Sequence, residues 1–282
     1  LDVATDSSGN VYVMEYYNNR IKVFDSSGAY LRSFGGYGNA CYQWQYARQF
    51  TIYNDVVYIA DTYGRKVKSL TLTGQCKDIW FTGQYPHAIA ANSNYVFVGH
   101  PSNSISVLDH RLNQRSTESI SSNYLSYAWG MSINSAGNRL AIADYNKNQV
   151  VEFSISGDWL AYTQKTSSTY SSGNGYFQRP TDTGYDSSGN IYVSDLYGHR
   201  VQKFNSSLSY QGKVGSYSTS SGFRYPYGMH VDSNNKVYAT DFYNYAVRQY
   251  DTSLVEQNTY GGGGGTRLDA AKKVIKKIVS NT

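Results

Sequence analysis

The chain has 282 residues, 40% of them hydrophobic, with four prolines, two cysteines and a formal net charge of +5 at pH 7, a size that suits one all-β domain of the larger kind and excludes a second full domain. No run of 18 apolar residues exists, so no membrane-spanning helix is expected. The charge is unevenly placed: Arg267 and four lysines against Asp269 put +4 into 266–282, leaving +1 for the body, with no basic stripe to neutralise phosphates, so nucleic acid is not an expected partner.

In chain order, the first strands read Asp2 to Asp6, Tyr12 to Glu15, Arg20 to Asp25 and Tyr30 to Phe34. The turns between them, Ser7-Ser8-Gly9-Asn10 and Ser26-Ser27-Gly28, supply the Gly or Asn that a positive φ requires. Glu15 marks the end of a strand, and six residues later the next apolar stretch begins at Ile21. The same spacing recurs from Asp61 to Val67, Gly99 to Ile105, Asp144 to Val150, Asp195 to Val201 and Asp241 to Val247. Successive markers lie 46, 38, 45, 51 and 46 residues apart. That is the period of a four-stranded propeller blade, and it predicts an all-β, six-bladed β-propeller of antiparallel blades. The sixth blade, Tyr227 to Asp232, Lys236 to Asp241, Ala246 to Tyr250 and Val255 to Tyr260, is complete in one stretch, so no strand is borrowed from the other terminus. Leu1 and Gly261 are then expected to lie near one another, the geometry of a module inserted in a host loop. Any leader of the parent polypeptide would lie upstream of Leu1.

The fifth blade carries the clearest copy: Asp186-Ser187-Ser188-Gly189-Asn190-Ile191-Tyr192-Val193-Ser194-Asp195, then Gly198-His199-Arg200-Val201-Gln202-Lys203-Phe204. This pattern resembles the NHL repeat over essentially Leu1 to Gly261. Phe177-Gln178-Arg179-Pro180 and Phe223-Arg224-Tyr225-Pro226 match that family's blade-opening signature, and Tyr46 to Gln49 reads as a degenerate copy. In blade three Gly99 replaces the marker Asp and Ser104 the usual Arg, which puts its inter-blade polar contacts in doubt.

The chain divides into a propeller (1–260), a glycine linker (261–265) and an amphipathic helix (266–282) with Leu268, Ala271, Ile275 and Ile278 on one face. Thr266-Arg267-Leu268-Asp269-Ala270-Ala271-Lys272 resembles the first helix of a von Willebrand factor A domain. That resemblance implies an adhesin or pilus-tip-like parent whose metal-binding loop, with a divalent cation, lies outside this chain; no cofactor is expected within it. Other readings of the tail are a membrane-surface helix, a partner-docking helix or an engineered appendage, with membrane association expected only if the helix is free.

Function is sought on one face of the ring. The loop between second and third strands shares a face with the connection to the next blade. There five of six blades place a tyrosine: Tyr16 and Tyr17, Tyr63, Tyr145, Tyr197 and Tyr243. The connections add Trp44, Tyr124, Tyr127 and Tyr170. Tyrosine combines a large contact area with a hydroxyl and little entropy to lose, which suits recognition of a glycan or a protein surface. The competing role is wedging between blades, expected of Phe177, Phe223, Tyr46 and Trp129. The excess of 30 Tyr over 10 Phe asks for hydroxyls that meet water or ligand.

A catalytic reading, a metal-assisted lyase or lactonase-like hydrolase in the central channel, is implied by relatives of the NHL type and would rest on His87 and His230; the five histidines do not recur at equivalent positions. No nucleophile elbow or phosphate loop is present. Cys41 and Cys76 flank blade two, either as a disulfide or as two free thiols. With few charges, abundant Ser, Thr, Asn and Tyr and the sequon at Asn205, the expectation is a non-catalytic recognition module outside the cell or on its surface.

Overall fold

The computed structural model describes residues 1–218 and 222–261. Gly261, expected as the start of the linker, ends the last strand, Glu256–Gly261; the rest of the linker and the proposed helix lie outside the described residues. Six four-stranded antiparallel sheets follow one another around a ring: 2–35, 50–81, 88–119, 128–165, 180–214 and 226–261. Each sheet runs in strict sequence order from the channel outward, as expected of a chain in which every strand is joined to the next by a short hairpin. The described residues contain one helical turn, the 3₁₀ turn Phe242–Asn244, and no helix long and apolar enough to cross a membrane.

Five of the six markers are where the sequence puts them, blade three being offset by one residue. Second strands Val11–Glu15, Val56–Asp61, Arg139–Asp144, Ile191–Asp195 and Val237–Asp241 end at a marker, and Val96–Gly99 ends one residue before the place a marker would take. Hairpin aspartates then fold the turns back. Asp6 accepts the amides of Ser8 and Asn10, and Asp186 and Asp232 do the same for Ser188 and Asn190 and for Asn234 and Lys236. These carboxylates are hairpin chemistry.

Apolar residues of the second and third strands fill the seams between sheets. One such cluster, Val3, Val11, Tyr238, Val247 and Tyr260, joins blades one and six. The ring is sealed beside it by Thr240 Oγ1 donating to the Leu1 carbonyl at 3.1 Å and by Thr5 Oγ1 bonded to His230 Nε2 at 2.8 Å. Blade six is complete in itself, and no strand is exchanged at the closure. Inside the ring, Asp2, Gln49 and Asp182 close the channel. Gln49 Nε2 donates to Asp182 Oδ1 (2.8 Å), its Oε1 accepts the amides of Ile89 and Met131, and Asp2 and Asp182 accept those of Phe50 and Met229. Ala88, Gly130 and Gly228 stand at the corresponding places of the other blades, because a ring of six large side chains would not fit.

Candidate functional site

Aromatic rings line the mouth of the channel on the face predicted from the sequence, in a nearly continuous horseshoe. Tyr63 meets Tyr46 (ring centroids 5.9 Å), Tyr46 meets Tyr16 (5.3 Å), and Tyr16 meets Tyr17 (5.2 Å). Tyr17 approaches Phe242 (6.1 Å), followed by Tyr243 (4.8 Å), Tyr225 (5.2 Å) and Tyr197 (5.7 Å). Tyr197 interacts with the Tyr145 hydroxyl, and Tyr145 stacks on Trp129 at 4.2 Å, with Tyr127 beside it at 6.3 Å. The arc opens at blade three, where Pro101 takes the tyrosine's place. Tyr17, Tyr63, Tyr197 and Tyr243 are 57%, 50%, 44% and 45% exposed, so the rim offers ring faces and hydroxyls to solvent.

Arg48 stands at the centre of the mouth. Its guanidinium lies 4.5 Å from the Trp129 ring, Nη1 donates to the Tyr227 hydroxyl at 2.7 Å, and Nε has no acceptor. Burial raises the Tyr227 hydroxyl above the usual phenol range, while His87, buried next to this cation and against Tyr127, is held down to about 3 and is neutral.

What orients the rim is a repeated latch. Each of the four marker aspartates accepts an amide from the connection leading into its own blade: Asp61 from Gln45 (2.7 Å), Asp144 from Ser126 (2.8 Å), Asp195 from Gln178 (2.6 Å) and Asp241 from Arg224 (2.7 Å). A third-strand cation balances most of them, Lys68 on Asp61, Arg200 on Asp195 and Arg248 on Asp241, at 2.8–2.9 Å. Four residues past the marker, Asn19, Asn148 and His199 accept the amides of Tyr46, Arg179 and Tyr225, the residues that start the next blade with positive φ. In blade five the wedge Phe177, the latch Asp195 and the pair Arg200 come together in a single unit.

Residues 177–204 match the NHL repeat. Among solved structures, the chain is similar to a streptogramin B lyase at 12% identity and TM-score 0.68, covering 94% of this chain and 83% of that one. It is similar to the virginiamycin B lyase of Staphylococcus aureus at 13% identity and TM-score 0.62, covering 92% and 83%. It also resembles a chain of a nidogen/laminin complex at 15% identity and TM-score 0.67, covering 86% and 90%. No curated protein matches the sequence. At such identities the likeness is one of fold.

Set beside the NHL unit of blade five, the openings of the other blades correct two expectations. Parallel bridges pair Tyr37 with Trp44, Tyr170 with Phe177 and Tyr217 with Phe223, so Trp44 is the equivalent of the two phenylalanines. Blade two therefore opens at Trp44-Gln45-Tyr46-Ala47, two residues earlier than the degenerate copy suggested. Trp44 is 0% exposed, sealed against Phe34 and Gly35 in the seam of blades one and two, and is no contact residue. Conversely, Tyr46 and Trp129, expected as wedges, are partly buried members of the mouth. The signal was alternation: wedge, then mouth residue two and four places on, as in Trp44, Tyr46, Arg48; Leu125, Tyr127, Trp129; and Phe223, Tyr225, Tyr227. Arg48, Tyr225 and Tyr227 were missed for want of that register, and Phe242, directly after the marker Asp241, because only tyrosines were sought in that turn.

In blade three the pairing is offset by one residue, Gly99 facing Ile105 and His100 bonded to Ser104, so His100, not Gly99, takes the marker's place. Its Nε2 lies 2.9 Å from Ser106 Oγ, where four of the other blades hold an ion pair and blade four sets Gln149 beside Asp144. Tyr124 stacks on Tyr162 at 4.0 Å at the outer edge of blade four, and Tyr170 stands exposed by Phe177; neither joins the horseshoe. His87 and His230 are not brought together. His87 sits at the tyrosine mouth, whereas His230 is bonded to Thr5 at the far end of the channel, where desolvation by its surroundings holds it down to about 4. The far mouth forms a funnel of about 310 Å³ whose floor is Asp2 and Gln49. Among the described residues no group of three or more His, Cys, Asp or Glu is placed to hold a metal. Cys41 and Cys76 are joined by a disulfide.

Proposed function

We propose that this propeller is a non-catalytic recognition module that captures a glycan or protein ligand on its tyrosine face. One observation carries the reading: exposed tyrosines from four blades, with the partly buried Tyr145 of a fifth, converge in one arc around a single mouth, on latched connections. Tyr is the residue that contributes contact area and hydrogen bonding at low entropic cost. The similarity to a propeller from a nidogen/laminin complex supports a protein ligand as one class. The disulfide supports an oxidising, extracellular or cell-surface setting, since such bonds persist there. The parent we propose is an adhesin or pilus-tip-like protein with a von Willebrand A-type host domain, an extension that rests on the resemblance of 266–282 alone.

The test is the combined substitution Tyr63→Ala, Tyr197→Ala and Tyr243→Ala, assayed on glycan and cell-surface protein arrays. All three rings are about half exposed, so the ring should fold with an unchanged circular dichroism spectrum while capture is lost. Capture equal to that of the parent chain would refute the face.

A further inference from the structure

The loops of the two faces differ in charge in a way that neither composition nor net charge reveals. On the tyrosine face the turns after the second strands (16–19, 62–65, 100–103, 145–148, 196–199 and 242–245) and the connections between blades (36–49, 82–87, 120–127, 166–179 and 215–225) contain no Asp or Glu. They do contain Arg48, Arg65, Lys147, Arg179 and Arg224. The hairpins of the opposite face hold eight aspartates against Arg111 and Lys236. The marker acids nearest the tyrosine face are already engaged by backbone amides and, for most, by third-strand cations.

Four arginines of this face are therefore left without a carboxylate among the described residues, and each is seated on a ring. Arg48 lies on Trp129 (4.5 Å), Arg65 on Tyr85 (4.5 Å), Arg179 on Tyr145 (4.9 Å) and Arg224 on Tyr243 (5.4 Å). Stacking holds each guanidinium in place without neutralising it. Arg48 is the most informative: recessed among Trp129, Tyr16 and Tyr227, its guanidinium makes one hydrogen bond, from Nη1 to the Tyr227 hydroxyl, while Nε is shut away without an acceptor and Nη2 is left to donate to a carboxylate. A cleft of one sign also concentrates counter-ions at its mouth.

Resting on the recognition reading above, we infer that the ligand of this face is an acidic saccharide, whose uronate carboxylate is received by Arg48 while neighbouring sugar rings lie against the tyrosines. The arrangement fits a sugar better than a nucleic acid. Phosphodiester chains are tracked by a line of cations along a groove, whereas here the cations encircle one mouth and the central one is recessed.

The experiment is affinity electrophoresis of the full chain through gels containing polygalacturonate or hyaluronan, with carboxyl-reduced polygalacturonate and poly(U) as comparisons. Retention by at least one of the two uronates is expected, weakened tenfold or more by Arg48→Gln and by carboxyl reduction, and unchanged by Arg111→Ala on the opposite face. Should Arg48→Gln fold poorly, Arg179→Ala provides the second variant, with a smaller loss expected. Retention by neither uronate, equal retention of Arg48→Gln, or tighter binding to poly(U) overturns the inference. If the triple tyrosine variant loses a neutral ligand that Arg48→Gln still captures, the recognition reading stands and this one falls.

Discussion

Tyr12, Tyr192 and Tyr238 stand at the same position in three blades, buried, each donating its hydroxyl to the aspartate that caps the preceding hairpin, at 3.1–3.3 Å. Part of the tyrosine excess is thus internal: a phenylalanine there would leave a carboxylate oxygen without that donor. The hydroxyls that meet solvent are those of the rim. His100 shows the converse, a buried imidazole in a position built for an acid. Burial holds it down to about 4, against about 6.5 in the unfolded chain. A group with a depressed imidazole pKa is neutral in the fold, so acid protonates the unfolded chain first and stability falls as pH drops from about 6.5 towards 4. His87 and His230 act with the same sign, whereas Asp2, pushed up to about 7 by burial, loses stability as pH rises through 4–7. The net profile mixes these, but a difference isolates one of them. His100→Asn should gain about 2 kcal/mol relative to the parent chain between pH 7 and pH 4.5 in urea unfolding. A gap independent of pH would mean that the imidazole is not buried in its neutral form.

At the scale of elements, the connections carry both architecture and site, and they are irregular segments that need pinning. The marker acid holds one residue, the side chain four places on holds the next, and between blades one and two the Cys41–Cys76 disulfide adds a third tie, from the connection to the outer strand Cys76–Phe81. Closing a loop with a sequence separation of 35 restricts the unfolded chain enough to contribute about 3–4 kcal/mol. Replacing both cysteines by serine, or adding reductant, should lower the urea midpoint accordingly and leave ligand capture intact in the absence of denaturant. An unmoved midpoint would show that the marker latch alone fixes the connection. The strand pattern and the marker were legible because alternation and turn residues are local signals. The opening of blade two was not, because Trp44 and Tyr46 are both aromatic and only the bridge to Tyr37 tells which one enters the seam.

On the scale of the whole ring, the channel is closed where six first strands converge and each side chain must share space with five others. Gly130 shows how tight this is. A Cβ there would lie 2.3 Å from the Thr181 carbonyl oxygen and 2.5 Å from Asp182 Oδ1, both on the neighbouring blade. Gly130→Ala should lower stability by about 1–3 kcal/mol, the usual effect of overpacking. Gly212→Ala on an outer strand, where a Cβ meets nothing within 4 Å, should be close to neutral in the same thermal melts. Equal melting temperatures for the two variants would argue that the closure relaxes freely.

The amino-acid sequence by itself determined the number of blades, their strand order and the face on which tyrosines gather, because period, turn chemistry and alternation are properties of neighbours along the chain. Tertiary structure alone decided which aromatic fills a seam and which lines the mouth, that His87 and His230 lie at opposite ends of the channel, and that Arg48 stands at its centre against Tyr227 and Trp129 with no carboxylate among the described residues. Those outcomes depend on residues from different blades meeting across the ring, at separations such as the 179 residues between Arg48 and Tyr227, over which no local pattern carries information.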